Sequence, residues 1–98
     1  MDQSTIISTL LRHERQLHGK GVLHAGLFGS AARGEMHMDS DIDILIDLDP
    51  AAPISVYDYV ELKDYIASLF PHPVDVVSRE GLKPHLRPGV LTDFVHAF

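Results

Sequence analysis

Apolar positions in this chain change their period several times, and each change marks an element. Over residues 3–18, Ile6, Ile7, Leu10, Leu11 and Leu17 recur at helical spacing. Arg12, Glu14, Arg15 and Gln16 fill much of the opposite face, so the pattern predicts an amphipathic helix. Gly19-Lys20-Gly21 ends it, placing glycine where a helix C-terminus favours it. Val22 to Phe28 is a short apolar run, enough for one strand. Gly29 to Met38 is polar and glycine-bearing, with room for one helical turn around Ala31-Ala32-Arg33. From Asp41 to Leu48 the period becomes two. Ile42, Ile44, Ile46 and Leu48 share one face, and Asp41, Asp43, Leu45 and Asp47 the other.

Pro50 to Pro53 breaks that strand. Ser55 followed by Asp58 resembles a capping box, with Asp in place of the usual Glu. Val56, Tyr59, Leu62, Ile66 and Leu69 then step by threes and fours, predicting a helix from about 55 to 69, stopped by Pro71 and Pro73. Val74-Asp75-Val76-Val77 is a third, very short strand. Leu91, Phe94, Val95 and Phe98 suggest a final amphipathic helix that starts near Pro88. Strands joined through a helix are normally parallel, whereas the short 29–40 loop suits an antiparallel pair. The expected architecture is an α/β (α+β) fold, a small mixed β-sheet of about three strands packed with helices. Residues 1–98 leave little room for a second domain, so a single domain is expected.

Composition narrows the function. Eight Lys+Arg against 14 Asp+Glu leave a net charge of −6, which argues against a domain that binds nucleic acid directly. Zero cysteines exclude a disulfide scaffold, a Cys-ligated zinc site and thiol chemistry. No apolar run approaches a membrane span and no signal-peptide pattern opens the chain, so a soluble, cytoplasmic protein is expected. The acid is concentrated: Asp39, Asp41, Asp43, Asp47 and Asp49 fall in one window that holds no Lys or Arg. That window carries −5, which leaves −1 for the rest of the chain.

Asp41 and Asp43 share a strand face by period-two geometry, and Asp75 joins them if the third strand pairs beside the second. Three carboxylates that close hold protons or bind a cation, and hard oxygen donors favour Mg²⁺ or Mn²⁺. Gly29-Ser30 has a matching role, since glycine allows close backbone approach to an anion and the serine hydroxyl adds a donor. Arg33 adds a permanent cation able to bridge two phosphate oxygens. A phosphate clamp beside a carboxylate metal site is the layout of phosphoryl or nucleotidyl transfer.

These residues carry a resemblance. Gly29-Ser30-Ala31-Ala32-Arg33-Gly34, six further residues and Asp41-Ile42-Asp43 resemble the Gly-Ser-x10-Asp-x-Asp signature of the polymerase-beta-like nucleotidyltransferase superfamily. The short length, Ala-Arg-Gly and the Val-Asp-Val-Val around Asp75 look like its minimal nucleotidyltransferase branch. The resemblance implies Asp41 and Asp43 as shared ligands of two Mg²⁺ ions, and Asp75 as a third ligand and candidate base. It implies Gly29 and Ser30 as the triphosphate grip and ATP as the nucleotide. One departure is Ala31, where many members carry a larger polar or basic residue. In this branch the characteristic partner is a HEPN-domain RNase toxin, which the minimal nucleotidyltransferase neutralises as antitoxin by adding AMP to a toxin tyrosine.

Competing readings bear on the same residues. An EF-hand start at Asp39-x-Asp41-x-Asp43 fails, because Ile44 stands at the required Gly and Pro50 at the required bidentate Glu. Arg33 has a plainer alternative in a surface ion pair with Glu35 or Asp39. At the level of function, a stand-alone enzyme acting on small molecules such as aminoglycosides is one alternative. The other is an antitoxin that neutralises by binding alone.

Overall fold

The computed structural model describes residues 2–34, 41–81, 85, 88 and 92–98. Helix α1 (Gln3–Arg12) starts at Asp2, whose carboxylate accepts from the Thr5 N–H at 2.8 Å. The helix expected over residues 3–18 is interrupted at His13, and α2 (Glu14–Gly19) follows. The break has a local cause. The His13 ring Nδ1 donates to the Thr9 carbonyl at 2.8 Å, taking the acceptor that the His13 backbone N–H would use in a continuing helix. That N–H bonds Leu10 instead.

Strand β1 (Val22–Leu27), the short helix α3 (Gly29–Arg33), β2 (Ile42–Leu48), α4 (Val56–Ser68) and β3 (Val74–Ser78) follow in the expected order. A 3-10 turn (Arg79–Gly81) leads away from β3. The capping box at α4 is complete: the Asp58 N–H donates to Ser55 Oγ and the Ser55 N–H to the Asp58 carboxylate. β1 pairs antiparallel with β2, and β2 pairs parallel with β3 across the α4 connection.

The C-terminal segment departs from expectation. Thr92 and Asp93 are helical, with the Thr92 hydroxyl donating to the Pro88 carbonyl, but Val95–His96 forms a fourth strand, β4, antiparallel to β1. The sheet order is β3-β2-β1-β4. Phe94 and Phe98 therefore do not continue a helix, and Leu91 lies outside the described residues. Phe98 packs against the core, as that stripe suggested.

One sheet face is the core. Ala25, Leu27, Ile42, Ile44, Ile46 and Val76 pack there against Ile6, Leu10 and Leu17 of α1 and α2 and Leu62 and Ile66 of α4. The other face carries Asp43, Leu45 and Asp47 in alternation. Leu45 is buried on it although it lies outside the main cluster. Its cross-strand partner Gly26 lies so close to the Phe94 ring that any Cβ there would overlap it. Among the described residues no helix is long and apolar enough to cross a membrane.

Candidate active site

Strand β2 and the edge strand β3 deliver the carboxylates. Asp43 on β2 is the register partner of Asp75 on β3, and neighbouring strands lie about 4.8 Å apart. Asp41 stands exposed at the entrance to β2, just before its first residue. Burial, then the charge of Asp75, then that of Asp41 raise the Asp43 carboxyl above the ordinary Asp value, and Arg33 opposes them. Asp43 thus sits in the field of both other candidate carboxylates. Among the described residues no three side chains are gathered into a ready-made metal cage. The donor set nevertheless fits a hard divalent cation: it is all oxygen, and positive charge would relieve the crowding at Asp43.

The β1–α3 junction closes against the same carboxylate. The Phe28 N–H donates to the Asp43 carbonyl at 3.1 Å, which locks the end of β1 to the start of β2. Gly29 then turns the chain with φ at +67°, a region L side chains rarely adopt. A Cβ on Gly29 would stand 2.5 Å from Asp43 Oδ2. Glycine is required here twice over, for its dihedral and for its bareness. Ser30 follows, half-buried, as the second residue of α3.

Ala31 is buried in the core. The departure at this position places a small apolar side chain in the core cluster. Arg33 closes α3 and forms an ion pair with Asp93 at 3.0 Å. The alternative partners Glu35 and Asp39 lie outside the described residues. Asp93 carried no signal in the sequence: sixty positions separate it from Arg33, and only the folded C-terminal segment brings them together.

Comparison with known proteins gives the family and the fold. Residues 7–95 match the family described as the nucleotidyltransferase domain. The protein adenylyltransferase MntA of Thermococcus cleftensis is 37% identical over 92 residues, covering 93% of this chain and 91% of that protein. A solved structure described as a candidate minimal nucleotidyltransferase superposes with a TM-score of 0.80 at 33% identity, covering 97% of this chain and 95% of that one. A crystal structure of a toxin–antitoxin with AMP-PNP superposes with a TM-score of 0.71 at 28% identity, covering 100% of this chain and 73% of that one. A strand pair carrying facing aspartates, a glycine pressed against one of them and these likenesses lead to one conclusion: this chain belongs to the nucleotidyltransferase family, in its minimal branch.

Proposed function

We propose that this chain is a metal-dependent adenylyltransferase that moves AMP from ATP to a protein hydroxyl, a tyrosine of a HEPN-domain RNase toxin. In that role it is the antitoxin of the pair. The observation that carries the reading is the register that sets Asp43 beside Asp75, with Gly29 against the Asp43 carboxylate. Its support in relatives is the similarity to a protein adenylyltransferase and to a toxin–antitoxin with AMP-PNP.

In this reading Asp41 and Asp43, joined by Asp75, would hold two Mg²⁺ ions, with Mn²⁺ as the other ion the donor set admits. Bound metal would supply Lewis-acid stabilisation of charge on the transferring phosphoryl group and the pyrophosphate. Gly29 and Ser30 hold the triphosphate through backbone N–H groups and the hydroxyl, and Arg33 adds a cation. Asp75 receives the acceptor hydroxyl proton as that oxygen bonds the α-phosphorus. The bond from this phosphorus to the α–β bridging oxygen breaks, and pyrophosphate leaves. Residues 1–98 act as one domain, and the partner protein brings the acceptor hydroxyl into attack geometry.

The test is the intact mass of a candidate HEPN partner incubated with this protein, ATP and Mg²⁺, beside an Asp41→Ala/Asp43→Ala control. A gain in whole adenylyl units with the wild type alone is expected. A stable complex with no mass gain would replace this reading by neutralisation through binding.

A further inference from the structure

The Arg33–Asp93 ion pair asks for a role other than stability. Both side chains are about two-fifths exposed, and a pair in that setting adds little to the stability of a fold. Its placement is more telling. Arg33 ends α3, the helix that opens with Gly29 and Ser30, and its charge reaches Asp43.

Asp93 is also well anchored. It lies between the helical residue Thr92, tied to the Pro88 carbonyl at 2.7 Å, and Phe94, whose ring lies against Gly26. The next two residues are β4, paired to β1. A carboxylate on so fixed a segment can hold a guanidinium in one orientation.

We propose that Asp93 is a positioning residue: it holds the Arg33 guanidinium at the edge of the carboxylate site, set to meet the phosphates of the nucleotide. The inference rests on the nucleotide reading of that site. It assigns the C-terminal segment a part in substrate binding that its sequence pattern does not suggest.

Titration calorimetry with Mg²⁺ and AMP-PNP tests it on the full chain, with thermal unfolding recorded in parallel. Arg33→Gln is expected to weaken binding about 10-fold, and Asp93→Asn about 3- to 10-fold, with little change in melting temperature. The deciding variant is Arg33→Gln/Asp93→Asn. A residue that acts through Arg33 adds no further loss once Arg33 is gone, so the double variant should bind as Arg33→Gln does. Asp93→Glu should recover part of the affinity, and it serves as the measured variant if Asp93→Asn does not fold. Losses that add in the double variant, or an Asp93→Asn protein that binds as wild type, would overturn the proposal and leave the nucleotide site standing. A wild-type protein that binds no Mg²⁺–AMP-PNP would overturn the site reading and this inference together.

Discussion

Gly29 and Gly34 form a matched pair of perturbations. Both have positive φ, +67° and +71°, and both lie at the ends of the same short helix. Replacing either by alanine forces an L side chain into the left-handed region, at a cost of about 1–2 kcal/mol. For a chain of this size each 1 kcal/mol lowers the melting temperature by about 4–8 °C. The two sites differ in what the new methyl meets. At Gly34 nothing lies within 4 Å, whereas at Gly29 the methyl would stand 2.5 Å from Asp43 Oδ2. That oxygen is the end of a rotatable side chain, so Asp43 relieves the overlap by swinging aside. The relief costs little stability, but it moves the carboxylate out of the position it holds beside Gly29. The two variants should therefore melt within a few degrees of each other and differ sharply in function. A misplacement of ~1 Å at a reacting centre can cost on the order of 100-fold in rate, which is the loss expected for Gly29→Ala. Gly34→Ala should stay within a few-fold of wild type. Adenylyl transfer measured as pyrophosphate release, beside thermal melts, gives both numbers. Equal activity in the two alanine variants would refute the claim that Gly29 is kept bare to seat Asp43.

Three further outcomes follow from the same structure. Asp43→Asn should abolish transfer yet leave the metal-free protein at least as stable as wild type at neutral pH, because it removes a carboxylate that burial and two like charges disfavour. The sign follows from its raised folded value: ionised Asp43 opposes folding, so in EDTA the stability of wild type relative to Asp43→Asn should fall as pH rises from about 4. A variant less stable than wild type at pH 7 in EDTA would contradict it. His18 bonds two acceptors, the Val22 carbonyl at 2.8 Å and the Glu14 carboxylate at 3.0 Å, and only the imidazolium donates to both. These bonds raise its value above 6.5, so its contribution to folding is full below that pH and is lost as pH rises through the folded value. NMR titration should show the His18 ring titrating above 6.5 and moving down in Glu14→Gln; an unmoved midpoint would remove the Glu14 bond from the account. Ser55→Ala deletes one half of the α4 capping box and should cost about 1 kcal/mol, read as a drop of about 4–8 °C in melting temperature.

What the chain discloses before folding depends on whether the signal is local. The alternation from Ile42 to Leu48 identifies both faces of β2, and the Ser55–Asp58 spacing marks the start of α4. Gly29, Asp41, Asp43 and Asp75 stand out as candidates because strand period and fixed spacing single them out. β4 was not: a strand of two residues has no period, and the steps from Leu91 to Phe98 imitate a helix. The break at His13 depends on one ring nitrogen outcompeting a backbone N–H, which no residue pattern announces. The Arg33–Asp93 contact joins segments sixty positions apart, and the nearer acids at positions 35 and 39 made more obvious partners.

The parallel register of β2 and β3 gives this molecule a form of quality control. Because side chains alternate along a strand, a one-residue slip of β3 would carry Asp75 to the core face and turn both Val74 and Val76 outward. The displaced carboxylate would then lie among Ile42, Ile44 and Ile46, where an unpaired acid costs several kcal/mol. The error that would disable the chemistry is thus the same error that would unfold the protein. Chains that survive folding carry an assembled aspartate pair, and a stable but misaligned, idle form has no energy well in which to persist.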